Sequence, residues 1–114
     1  MITNVMQMHN SIQFRSTKLN MMFDITHHDD ISGNLKWSLL ISKINVKLYK
    51  DYSCEVLGIL DRNSINFKYD STLDAFLIRI LNLCDQTVII LVLSYNLGGL
   101  VITEDDKSLR FTIK

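Results

Sequence analysis

Apolar and polar residues alternate with a period of two along most of this chain, and that period leaves few folds open. Successive side chains of a strand point to opposite faces, so each such stretch reads as a half-buried β-strand. "LNMMFDIT" puts Leu19, Met21, Phe23 and Ile25 on one face, and "LKWSLLIS" does the same with Leu35, Trp37, Leu39 and Ile41. "KINVKLYK" places Ile44, Val46 and Leu48 inward and Lys43, Asn45, Lys47 and Tyr49 outward. "SIQF", "CEVLGIL", "INFKY", "LVITE" and "LRFTIK" extend the pattern over the chain. "TVIILVLSY" is apolar on both faces and rich in β-branched residues, as a central strand or a dimer seam would be. Polar turns separate these runs: "HDDISGN", "YKDYS", "DRNS", "NLGG" and "EDDKS".

One stretch departs from the alternation. In "DSTLDAFLIRILNLCD", residues 70–85, Leu73, Phe76, Leu77, Ile80, Leu81 and Cys84 recur at helical spacing. Asp70 or Ser71 can cap a helix there, and Asp74 suits the positive end of its dipole. The spacing predicts one amphipathic helix over about 71–84. The expected fold is therefore mainly β, in an α+β arrangement. It is an antiparallel β-sandwich or partly open barrel with that helix packed on the sheet.

At 114 residues and 47% hydrophobic content the chain can bury one real core. There is no proline, and only four glycines, so no linker composition appears. A single globular domain spanning 1–114 is expected, with residues 1–10 prone to fray. The start, "MITNVMQMHNSIQ", lacks a charged n-region followed by an apolar run, and the longest apolar run, "VIILVL", is far too short to span a bilayer. A cytoplasmic location is expected. Cys54 and Cys84 lie in apolar surroundings and match no disulfide or zinc pattern, which makes them small buried hydrophobes in a reducing compartment.

Three clusters are candidates for chemistry. "THHDD" sets His27 and His28 beside Asp29 and Asp30. Adjacent residues of a strand face opposite ways, so the two imidazoles cannot readily share a metal, and spaced zinc-binding pairs are missing. A polar turn is the favoured reading, with a partner-binding surface or acid–base chemistry as alternatives. Lys43 and Lys47 with Tyr49 form an outward basic stripe that can track a phosphate backbone, although lysines on a solvated strand do the same work of blocking edge pairing. Glu104, Asp105 and Asp106 form one acidic loop, either a solvated turn or a surface for a basic protein. Basic and acidic residues number 12 each, so no overall basic excess points to nucleic acid. No phosphate-loop, dinucleotide, nucleophile-elbow, zincin or redox dithiol motif occurs.

A short, proline-free, Asn- and Ile-rich chain without a signal, bearing charged turns such as "HHDD" and "EDD" on a β scaffold, resembles cytosolic bacterial immunity proteins. That resemblance implies a non-catalytic inhibitor that neutralises a cognate toxin, with no cofactor and no metal. It implies an acidic surface of Asp29, Asp30, Glu104, Asp105 and Asp106 placed in the basic active site of a toxin such as a nuclease. The alternatives are a small nucleic-acid-binding module using Lys43, Lys47 and Tyr49, and a viral or phage inhibitor.

Overall fold

The computed structural model describes residues 1–114. Eleven strands form two antiparallel sheets, and there is no helix. The chain divides into two compact units, one of Leu60–Thr112 with Met1, the other of Ile2–Ile59 with Ile113–Lys114.

The first unit in sequence is a six-stranded meander. Its strands are β1 (Ile2–Gln7), β2 (Ser11–Ser16), β3 (Met21–His27), β4 (Leu35–Ile41), β5 (Ile44–Tyr49) and β6 (Cys54–Leu57), and they pair in chain order. The alternation in the sequence sets which face is buried. Ile12 and Phe14 of β2, Phe23 and Ile25 of β3, Trp37 and Leu39 of β4, and Val46 and Leu48 of β5 all have at most 3% of their surface exposed. Phe14 and Phe23 are directly opposite across the β2–β3 pair and stack with centroids 4.7 Å apart. Both rings are almost fully buried, which makes this pair one anchor of the register.

The second unit is a five-stranded meander of β7 (Asn63–Asp70), β8 (Ala75–Asn82), β9 (Val88–Ser94), β10 (Gly99–Glu104) and β11 (Lys107–Thr112), with β9 in the middle. The two-sided apolar run thus occupies a central strand. Its buried face carries Phe76, Ile78, Ile80, Ile89, Leu91, Leu93, Leu100 and Ile102, each at most 4% exposed. Two-residue hairpin turns need positive φ, and Asp105 and Asp106 supply it, at 56° and 60°, between the paired residues Glu104 and Lys107.

The helix expected over 71–84 is replaced by a turn and strand β8. The segment is apolar at both helical and strand spacings, because Phe76, Ile78 and Ile80 alternate while Leu77 and Leu81 fill the other parity. Pairing decides between them. All eight residues of β8 align with β7, and seven of them with β9, so the strand is paired along both edges. Asp70, the proposed helix cap, accepts hydrogen bonds from the Thr72 and Leu73 amides within the turn, at 2.9 and 3.1 Å. Leu73 is 59% exposed rather than packed on a sheet. Asp74 does not meet a helix dipole. It holds two turns together, accepting from the Tyr69 hydroxyl at 2.6 Å and from the Asn96 amide at 3.0 Å.

The two cysteines also differ from expectation, since both are exposed. Cys54 opens the edge strand β6, beyond which no strand lies, and Cys84 falls in the turn after β8. Enough protein surrounds the Cys54 sulfur to push its thiol pKa up.

Gly58 ends the first meander with φ of +115°, and a Cβ there would lie 2.6 Å from the Lys43 carbonyl oxygen and 3.0 Å from the Ile44 Cα. Both neighbours are backbone and cannot step aside. Gly58→Ala is therefore expected to lower stability by more than about 1 kcal/mol in a urea titration. A variant as stable as the parent would show that the β4–β5 turn shifts freely.

Candidate functional site: the outer face of the five-stranded sheet

The "THHDD" cluster resolves into a packed strand end and a turn. His27 closes β3 on the buried face, 5% exposed, with its ring 4.7 Å from that of Trp37. Neither ring nitrogen has a hydrogen-bond partner. Burial, reinforced by the positive charge of Lys36, lowers its pKa from the ordinary 6.5, against a smaller opposing pull from Asp29. His28 lies on the other face, where its Nε2 shares a hydrogen bond with the Ser38 hydroxyl at 2.7 Å, and burial lowers its pKa as well. Asp30 is used within the turn. Its carboxylate accepts from the Ser32 amide and hydroxyl at 3.0 and 2.8 Å, which holds its pKa below the usual carboxylate range. Lys50 Nζ donates to the carbonyls of Asp30 and Ile31 at 2.9 and 3.3 Å and ties the turn to the end of β5. Beside it is an open pocket of about 520 Å³ lined by Asn34, Tyr49, Lys50, Asp51 and Ser53. Asp29 is exposed in the same turn. No group of three or more His, Cys, Asp or Glu side chains is placed to hold a metal.

The acidic loop is divided between two environments. Glu104 ends β10, is 7% exposed, and pairs with the amino group of Met1. Asp105 and Asp106 make the exposed hairpin turn. The lysine stripe is divided too. Lys43 sits in the β4–β5 turn, and Lys47, in β5, has Ser38 on one side and the carboxylate-bearing Glu55 on the other. Tyr49, half-buried, shares its face. The acid opposite Lys47 weakens the field a phosphate backbone would meet.

The strand registers build a surface that none of these clusters anticipates. The six-stranded sheet has a mostly polar second face, where Gln13, Asp24, Thr26, Ser38, Asn45 and Lys47 are interspersed with the exposed Met22, Leu40 and Leu57. On the five-stranded sheet the apolar residues of the second face adjoin one another across strands. Its second face carries Leu77 and Leu81 of β8, Val88, Ile90 and Val92 of β9, and Val101 of β10, all partly exposed. Two cross-strand rows run over it. One reads Lys68, Leu77, Val92, Val101, Arg110, and the other Asn66, Arg79, Ile90, Thr103, Ser108. The first row is thus apolar on all three inner strands, between Lys68 on β7 and Arg110 on β11; in the second only Ile90 of β9 is apolar, with Arg79 of β8 on one side and Thr103 of β10 on the other. All three cations are exposed, and none forms an ion pair.

Sequence reasoning noted that 88–93 is apolar on both faces but not that β8 and β10 continue that second face. The signal was present in the second parity of "AFLIRIL" and "GLVIT", where Leu77, Leu81 and Val101 fill positions that a solvated face gives to polar residues. No protein-family model, curated protein or solved structure matches this chain. No helix is long and apolar enough to cross a membrane.

Proposed function

We propose that this is a non-catalytic protein-binding protein, an inhibitor of the immunity type, that engages its target through the second face of the five-stranded sheet. The observation that carries this reading is the apolar strip of Leu77, Ile90, Val92 and Val101 left partly open to solvent on β8, β9 and β10. Contiguous apolar surface of this kind marks interaction sites, because leaving it in water wastes the main driving force of association. The sequence resemblance makes a toxin domain the first partner to try. The acidic set Asp29, Asp30, Glu104, Asp105 and Asp106 supports an interface less well, since Glu104 is buried and the Asp30 carboxylate is bonded within its own turn.

The test sets two variants against each other. In one, Ile90→Thr, Val92→Thr and Val101→Thr keep β-branched residues in the strands while making the strip polar. In the other, Asp29, Asp30, Asp105 and Asp106 are each changed to lysine. Binding to a candidate toxin domain, measured by calorimetry, is expected to weaken at least about tenfold in the threonine variant and to hold in the lysine variant. The opposite result would return the interface to the acidic turns and sink this reading.

A further inference from the structure

We infer that the partner presented to this face is an acidic amphipathic helix, with one apolar stripe bordered on both sides by carboxylates; the inference rests on the binding reading above and specifies its chemistry. Two observations carry it, one of width and one of charge. At the row of Leu77, Val92 and Val101 the apolar strip covers three adjacent strands, β8 to β10, about 10 Å across at the usual strand spacing, and at the next row it narrows to Ile90 on β9 between Arg79 and Thr103. An α-helix with its side chains is about 10–12 Å in diameter, so a single helix laid along β9 fills the strip without reaching far past it. A second sheet would extend over β7 and β11, where the rows end in Lys68, Asn66, Arg110 and Ser108 and offer no apolar contact.

The charges stand where the flanks of such a helix fall. Lys68 and Arg110 terminate the same row, four strand spacings or about 19 Å apart, and Arg79 adds a second cation on the β8 side. None of these is neutralised within the chain. Long basic side chains at that separation reach inward over the strip's borders, where they meet glutamates on either flank of a helix and reject lysines. The acids of this unit lie at the ends of the strands instead: Asp70 and Asp74 at one end, Asp61, Asp85, Glu104, Asp105 and Asp106 at the other. This pattern disfavours two other occupants. A second copy would set three cations against three in a face-to-face contact. An anionic membrane would repel the carboxylates at the strand ends, and the strip has no protruding aromatic side chain to insert.

The experiment uses the full chain and three fluorescent helical peptides of about 18 residues, long enough to hold a helix. All share one leucine stripe, and the positions flanking it are glutamate, glutamine or lysine. Fluorescence anisotropy is expected to show the glutamate peptide binding at least about tenfold more tightly than the glutamine peptide, and no binding of the lysine peptide. The glutamate advantage is expected to shrink between about 0.05 and 0.3 M salt. In a Lys68→Gln, Arg79→Gln, Arg110→Gln variant it is expected to vanish while glutamine-peptide affinity stays the same. Equal affinity for the glutamate and glutamine peptides, or preference for lysine, overturns the acidic assignment and leaves the apolar binding face standing. Failure of all three peptides to bind overturns the binding face itself. Two further results also overturn the inference: sedimentation with phosphatidylglycerol vesicles that the glutamate peptide does not compete away, and a concentration-dependent dimer in gel filtration that the threonine variant abolishes.

Discussion

Replacing Trp37 with alanine is expected to destabilise the protein by about 3–5 kcal/mol, a loss comparable with the whole stability of many small domains. Trp37 is the only tryptophan of the chain and is fully buried in the middle of β4, against the ring of His27 across the strand pair. Truncation removes its transfer free energy and leaves a void lined by side chains that are themselves held by the ladder, so the site can collapse only in part. Circular dichroism in urea measures the effect. Leu40→Ala is the internal comparison, because Leu40 lies on the same strand with its side chain on the other face, 43% exposed. Its loss is expected to stay under about 0.5 kcal/mol. Equal losses at the two positions would mean that the alternation of β4 does not separate core from surface.

The second large effect is on acid stability. The folded-state pKa of His27 lies below that of a free imidazole, 6.5, because burial and Lys36 disfavour the charged ring. Above 6.5 the ring is neutral whether the chain is folded or not, and the stability is present in full. As the pH falls through 6.5 the unfolded chain takes up a proton that the folded chain refuses. Stability is therefore lost on acidification, by up to about 1.4 kcal/mol per pH unit, until the pH reaches the lowered folded value. His28 acts in the same direction, more weakly, since it is partly solvated. Urea midpoints between about pH 7 and 5 read this slope, over a range in which most carboxylates stay ionised. His27→Phe keeps a ring against Trp37 and removes the titration, so the slope is expected to flatten. A slope unchanged in that variant would assign the acid sensitivity elsewhere.

Much of the first sheet was legible because its strands obey one rule. From Leu19 to Ile25, from Trp37 to Ile41 and from Ile44 to Leu48, every second residue is apolar, and those residues are the buried ones. The same rule fails for 75–82, since an amphipathic helix and a strand apolar on both faces share Phe76, Leu77, Ile80 and Leu81. Only the strands on either side distinguish them, and those lie outside any local window. Edge position is equally hidden. Cys54 alternates inward with Leu48, its pairing partner, yet it is uncovered because β6 is the last strand of its sheet. The candidate site was legible only in fragments. Lys68, Leu77, Val92, Val101 and Arg110 span more than forty residues of sequence and become one row through four separate registers.

In both sheets each strand lies beside the one that precedes it in the chain. For an all-β protein this makes the relative contact order low, since no pairing waits on a distant segment. Closing each hairpin fixes only a short loop, and the entropy lost at each step is small. The meanders can therefore zip up one hairpin at a time from whichever turn forms first. With no proline to isomerise, no step is held to that slow timescale. A chain built this way is expected to fold faster than sandwiches whose strands cross between sheets.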